Sequence, residues 1–332
     1  MAVELQPLER QTFNTQQLVN KHPPRFEHPC KQLVYDIACP PGSMHQGELV
    51  FSRWPACTLP EHFDGRQLCL IEIREDYFGY EPSAHRIVDW YLNFAHSDVF
   101  AFYGSRLMAQ DEMQVAEHPA LASLREALVT LNLETATVEN NQPTPILVQN
   151  VERRCGIAID RNQDQYRPEG LYGNRFSQAS DEAIRLATHV LHPPTITNIL
   201  AIEAPSHGYG RYTMQDLRFI LQTAYSGFTA AKTASFWKNN PDEIVIHTGF
   251  WGCGAYGGNR TVMTILQWLA AHLSGIHRLV YHIGDASGQS ACHTAQMLLH
   301  EIGLSERSNA PLQEIFDIIY TQKFEWGESD GN

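Results

Sequence analysis

The residues of this sequence that most directly suggest chemistry are Trp251-Gly252-Cys253-Gly254-Ala255-Tyr256-Gly257-Gly258. A glycine-rich loop between a strand and a helix aims backbone amides at the positive end of the helix dipole, which makes a site for an anion, most simply a diphosphate. Gly252, Gly254 and Gly257 also match the spacing of the dinucleotide fingerprint. That fingerprint normally opens a domain and is followed about twenty residues later by a ribose-binding acid. Here it lies late in the chain and the first acid after it is Asp285, so NAD-dependent redox chemistry is the weaker reading of the loop. Cys253 stands where a helix N-terminus would lower a thiol pKa. No histidine-based triad accompanies it, and it reads as packing. A second candidate is Gln110-Asp111-Glu112. Two adjacent acids in a first helical turn have a plain structural explanation, because they face the positive end of the macrodipole.

The loop needs a strand before it and a helix behind it. Ile244-Val245-Ile246 is a β-branched run, and Val262, Ile265, Leu266, Leu269 and Leu273 follow Asn259 at three- and four-residue spacing up to Gly275. Leu279-Val280-Tyr281 supplies a second strand, so the stretch reads as a βαβ unit. Upstream, Leu68 to Ile73 has strand length, and from Ile87 an alternating pattern puts Val88, Trp90, Leu92 and Phe94 on one side and a more polar set on the other. Gln110 to Leu124 is helix-like. Residues 133 to 195 read as loop-rich, with a short strand at Ile146-Leu147-Val148 and with Tyr166 and Tyr172 either exposed or held ready to stack on a flat ligand. Asn198 to Ala204 is a strand stopped by Pro205, and Thr213 caps a helix with Leu217, Leu221, Ala224 and Phe228 on its buried stripe. Helices over Gln289–Ile302 and Leu312–Tyr320 follow. Strands alternating with helices predict an α/β fold with helices on both faces of the sheet. Residues 1 to about 45 read as a polar extension, and the last residues as a frayed tail.

Composition excludes several classes. Hydrophobic residues at 43% and charged residues at 18% are ordinary for a globular chain, and no apolar run approaches the roughly 20 residues of a membrane span. The start of the chain has neither a basic n-region nor an apolar h-region, so no signal peptide is expected. A formal charge of −13 opposes non-specific binding along a nucleic-acid backbone. The seven cysteines are scattered without zinc-knuckle spacing, and the sixteen histidines form no HExxH motif. A reduced, cytoplasmic protein with no metal site and no cofactor is expected.

Three ordered blocks resemble the poly(ADP-ribose) glycohydrolase family of macrodomains. They are WGCGAYGG with its helix and LVYHIGD, then ILAIEA at 199–204 with AYSGF at 224–228, and NFAH at 93–96 with QDE at 110–112. The resemblance spans roughly residues 68 to 303. It implies a three-layer α/β/α macrodomain with a mixed central sheet over 66–322, an N-terminal accessory extension over 1–65, and a flexible tail over 323–332. It implies an ADP-ribose site in which Gly252, Cys253, Gly254, Ala255, Tyr256, Gly257 and Gly258 hold the diphosphate and distal ligand. Asn93, Phe94, Ala95, His96, Gln110 and Ile283 complete the ligand contacts, Glu112 reaches the glycosidic bond as general acid and base, and Asp111 orients a ribose hydroxyl. Such a glutamate needs a raised pKa, which burial beside Asp111 supplies. The partners implied are ADP-ribose or an ADP-ribosylated protein or nucleobase. Several positions depart from the family: His96 replaces an asparagine, Phe100-Ala101-Phe102 replaces a triple glycine, Asp111 replaces a glutamate, and Ile283 replaces an aromatic. Triple glycine admits backbone conformations closed to other residues. The readings are therefore a divergent ADP-ribosyl glycohydrolase acting on mono-ADP-ribose or short chains, a non-catalytic reader of ADP-ribose or an NAD metabolite, and, last, an oxidoreductase.

Overall fold

The computed structural model describes residues 5–65, 68–206, 208–237, 240–284, 286–303 and 309–331; Asp285 lies outside them. Eight strands form one mixed sheet: β1 (Glu9–Asn14), β2 (Glu48–Arg53), β3 (Leu70–Arg74), β4 (Ile87–Phe94), β5 (Ile146–Ile157), β6 (Thr188–Ile202), β7 (Glu243–Gly249) and β8 (Arg278–His282). Their spatial order is β1-β2-β5-β6-β4-β7-β8-β3. The pairs from β1 to β6 are antiparallel, and those from β6 through β4, β7 and β8 to β3 are parallel. All parallel strands therefore end at the same edge, where crevices for ligands form in α/β sheets.

Nine helices cover the sheet: α1 (Thr15–Lys21), α2 (Pro29–Ala38), α3 (Gln110–Glu117), α4 (Ala120–Thr130), α5 (Asp181–Ala187), α6 (Met214–Ser235), α7 (Arg260–Ser274), α8 (Gln289–Ile302) and α9 (Leu312–Thr321), counted among the described residues. On one face Trp90, Leu92, Leu200 and Ile246 pack with Leu221 and Phe228 of α6, Leu266 of α7 and Cys292 of α8. On the other, Tyr91, Val148 and Ile199 pack with Leu18 of α1, Val115 of α3 and Leu121 and Leu124 of α4. This is the three-layer sandwich that the resemblance implies. In α7, Val262, Ile265, Leu266 and Leu269 are fully buried, each worth about 1.5–3 kcal/mol relative to exposure. The side chain of Asn259 caps the start of α7 by accepting from the amides of Thr261 and Val262, and Gly275 ends the helix in the left-handed region.

Within the sheet and the segments before and beside it, four sequence expectations differ from the structure. The polar face expected of β4 is buried, with Tyr91 and Asn93 both inside, because β6 and β7 flank the strand and helices cover it on both sides. The helix expected from Gln110 to Leu124 is two helices, divided at His118 and Pro119, since proline has no amide to continue the ladder. The loop-rich middle contains the two longest strands, β5 and β6, paired with register shifts between Val148 and Val151 and between Arg153 and Cys155. Only residues 199–202 of β6 pair with β4, so Pro193 and Pro194 occupy a stretch open on that side, where a missing amide is tolerated. Finally, the N-terminal segment is part of the sheet through β1 and β2, while α2 joins α5, Met108 and Phe176 in a third small core.

Candidate functional site

The two candidate motifs, about 140 residues apart in the chain, meet at the carboxyl edge of the parallel strands. β4 delivers Asn93 and Phe94, paired in register with Ala201 and Ile202 of β6. Gln110 fixes α3 to that strand end: its Oε1 accepts from the Phe94 amide at 2.8 Å, and its Nε2 donates to the Leu92 carbonyl at 3.0 Å. Asn93 is fully buried and donates to Asp111 Oδ1 at 3.0 Å. Gln110 and Asn93 thus support the carboxyls rather than present themselves to a ligand. The Ala95 amide likewise binds the Ile202 carbonyl at 3.2 Å.

Asp111 and Glu112 are 7% and 4% exposed. A pair serving only the macrodipole has no need of burial, so this depth separates the pair from the plain structural reading. Burial first, and then the Glu112 charge, drives the Asp111 pKa up, against the Asn93 and His96 donors. Burial also raises Glu112, while the Lys31 ammonium pulls it down. Glu112 Oε2 accepts from the Ala109 amide at 3.0 Å, which fixes the carboxyl at the helix start.

The sequence does not point to Lys31. It projects from α2, is 1% exposed, donates to the Tyr103 carbonyl at 3.2 Å, and has its pKa lowered to about 8 by burial while Glu112 and Asp111 hold it up. Nothing in the polar run around Cys30-Lys31-Gln32 marks it. Two further residues converge here. Tyr172, read from the sequence as exposed or poised for stacking, takes a bond from the Gln110 amide and feels the charges of Asp330 and Glu112. Glu203, one residue beyond β6, is hydrogen-bonded to Tyr256, and burial raises it to about 7. Its place in the ILAIEA block is the available signal.

The glycine loop follows β7. Gly252 has φ +74° and a Cβ there would stand 2.4 Å from Ala204 Cβ, so a side chain is excluded on both counts. The amides of Cys253, Gly257 and Gly258 donate within the loop, to Phe250, Gly254 and Gly252 carbonyls at 3.0, 3.0 and 2.8 Å. Together with the Asn259 cap, these bonds shape the turn, so not every amide of 252–258 is directed at a ligand. The Tyr256 hydroxyl is raised by burial, by Glu203, and by the charges of Asp111 and Glu112, which ties the loop to the carboxyl pair. Burial pushes the Cys253 thiol well up, in keeping with packing. Ile283 is 5% exposed in the main core and packs against Gly288 instead of offering a side chain to a ligand.

The departures from triple glycine also have a structure. Phe100 keeps a left-handed backbone, φ +57°, although it is fully buried and not glycine. Phe102 is 46% exposed and sits edge-on to His96, with ring centroids 4.9 Å apart. His96 Nδ1 accepts from the Asp98 amide at 3.1 Å. No group of side chains among the described residues could hold a metal ion, and none of the described helices is long and apolar enough to cross a membrane.

A mixed sheet between helical layers, with a glycine loop at the carboxyl edge, is the build of a macrodomain. Residues 144–289 match the family model described as "Poly (ADP-ribose) glycohydrolase (PARG), Macro domain fold". The matched stretch is a little under half of the chain, and over it the sequence is similar to the PARG-like macrodomain family. The match takes in β5 to β8, the glycine loop and α7, and leaves out Asn93–His96 and Gln110–Glu112. No curated protein matches the chain. Among solved structures it is similar to poly(ADP-ribose) glycohydrolase from Thermomonospora curvata bound to the inhibitor ADP-HPD, with 14% identity, 86% of this chain and 83% of that one covered, and a TM-score of 0.43. It is similar to the Deinococcus radiodurans enzyme in complex with ADP-ribose, with 12% identity, coverage of 86% and 92%, and a TM-score of 0.38. It is also similar to the Oceanobacillus iheyensis macrodomain with MES bound, with 10% identity, coverage of 72% and 96%, and a TM-score of 0.38.

Proposed function

We propose that the protein is a divergent ADP-ribosyl glycohydrolase that hydrolyses the ribose C1″ bond of mono-ADP-ribose or a short chain on a protein or nucleobase. The observation that carries this reading is the carboxyl pair: Asp111 and Glu112 are only 7% and 4% exposed, and both act on the Tyr256 hydroxyl of the glycine loop. A diphosphate on the loop, held by amides such as those of Gly254, Ala255 and Tyr256, brings the attached ribose toward that pair.

Burial keeps a proton on the pair near neutral pH. Glu112 gives its proton to the leaving oxygen as the C1″–O bond breaks and oxocarbenium character builds on the ribose; water then adds to C1″ and returns a proton to Glu112. Asp111, held by Asn93 and the His96 amide, orients a ribose hydroxyl. Lys31 limits how far the pair is raised. One observation favours a second reading, a reader that binds without turnover: Glu112 Oε2 is engaged by the Ala109 amide, as a capping glutamate would be. The test is release of ADP-ribose from a mono-ADP-ribosylated protein, followed by mass spectrometry, with calorimetry in parallel. Release by the native chain and its loss in Glu112→Gln, with binding retained, supports the hydrolase. Binding without release from any linkage selects the reader, and no binding sinks both.

A further inference from the structure

The segment read from the sequence as a frayed tail is folded onto the candidate anion loop. It is anchored at Phe324–Trp326. The Tyr212 amide donates to the Phe324 carbonyl at 3.0 Å, the Trp326 amide donates to the Gly210 carbonyl at 2.8 Å, and the Trp326 ring stacks on Tyr212 at 4.2 Å and 12°. Gly208 lies flat against the same indole, and a Cβ there would come within 1.8 Å of it. Asn259 Nδ2, at the start of α7, donates to the Glu325 carbonyl at 3.0 Å.

Beyond that anchor the chain crosses the loop. The Gly327 amide donates to the Gly257 carbonyl at 2.8 Å, the Asp330 amide reaches the Gly254 carbonyl at 3.4 Å, and Asn174 Nδ2 holds the Gly331 carbonyl at 3.1 Å. A Cβ on Gly257 would stand 3.0 Å from the Gly327 carbonyl oxygen, and one on Gly254 would stand 3.1 Å from Asp330 Oδ2. Gly257 and Gly258 are buried, whereas residues 327–331 above them are exposed. The Asp330 charge also reaches Tyr172, beside Glu112. A carboxylate is thus laid on the face of the loop, next to a carboxyl pair that gains nothing from another negative charge.

We infer that residues 327–331 form an autoinhibitory strap, in which Asp330 occupies the approach to the glycine loop and must lift away for a diphosphate ligand to bind. The inference rests on the functional reading above, because it takes the loop to be the diphosphate site. Two features suit a strap that opens. Its outer surface is exposed, so few apolar contacts oppose release, and Trp326 in its slot supplies a fixed hinge. Opening moves one anion out as another enters, so the ligand's charge drives the exchange.

The test compares ADP-ribose affinity of the full chain with that of a chain lacking residues 327–332, which keeps Trp326 and its slot, and with Asp330→Asn. A strap closed nine-tenths of the time weakens apparent binding about tenfold, because apparent affinity scales with the open fraction. The deletion is expected to bind on the order of tenfold more tightly, Asp330→Asn to fall between the two, and proteolysis of the full chain after Gly327 to be accelerated by ADP-ribose. Equal or weaker binding by both variants overturns the strap and leaves the site reading standing. Binding by none of the three overturns the site reading, and the strap with it.

Discussion

The two halves of the candidate site are built by different means. The loop half, from β7 through Gly252–Gly258 into α7, is made of backbone: its shape comes from a left-handed Gly252, internal amide bonds and the Asn259 cap. The carboxyl half is made of side chains brought from distant places. Asp111 and Glu112 lie in the first turn of α3, Asn93 is next to last in β4, Lys31 comes from α2, and Tyr172 comes from the segment before α5. A backbone site tolerates much sequence change provided its glycines stay, whereas a side-chain site fails or changes with single residues. The family match covers the first half and, of the residues named in the second, only Tyr172.

The largest separation between the halves is expected from one substitution in each. Glu112→Gln keeps the shape of α3 and removes the acid; loss of a general acid costs roughly 10²–10⁴-fold in rate. Release of ADP-ribose should fall by that much while calorimetric affinity stays within a few-fold. An equal loss of binding would mean that Glu112 holds the loop half together instead of acting on the bond. In the other half, Gly252→Ala forces a left-handed alanine, costing about 1–2 kcal/mol, and pushes its Cβ toward Ala204. Urea denaturation should show a loss of about 2 kcal/mol or more, with ADP-ribose binding lost beside it. An unchanged midpoint would show that the turn is not held in this form.

Legibility in the sequence followed the same division. Periodicity and capping residues placed α6, α7, α8 and the strands around them, because each reports local geometry that the sequence itself encodes. The triple-glycine replacement was legible as a change but not as a structure: Phe100 keeps the left-handed backbone that glycine would take easily, and only its full burial accounts for that. The burial of Lys31 and Glu203 was not legible, since burial of a charge depends on what packs over it from elsewhere in the chain. The long pair β5 and β6 was hidden by Asn, Gln and Pro residues, which a strand open along one side can carry. The strap was hidden for a similar reason, as WGESDGN has the composition of a free end.

The pH dependence of stability tests the carboxyl half without a substrate. Burial raises the Asp111 pKa from the carboxylate range to about 7. Between about pH 4 and that value the folded form holds more protons than the unfolded form, so stability falls as pH rises, by up to about 1.4 kcal/mol per pH unit for one proton. Asp111→Asn removes the titrating group. The variant should lose stability less steeply than the native chain from about pH 5 to about pH 8 and should be the more stable of the two at the upper end, as measured by urea midpoints. Parallel curves would show that the pair is more hydrated than its burial indicates.

The smallest effect is expected at Phe102, beside His96 on the carboxyl half. Its ring is half-exposed and rests edge-on against His96, a contact worth about 0.5–1.5 kcal/mol beyond area burial in a well-packed pair. Phe102→Gly should therefore cost at most about 1 kcal/mol of stability. It also returns a small residue to the place where the family carries glycine, next to the His96 amide that binds Asp111. A few-fold gain in ADP-ribose affinity would show that the aromatic narrows access to the carboxyl half. A few-fold loss would show that the ring is itself a ligand contact, and that this half has exchanged close backbone approach for stacking.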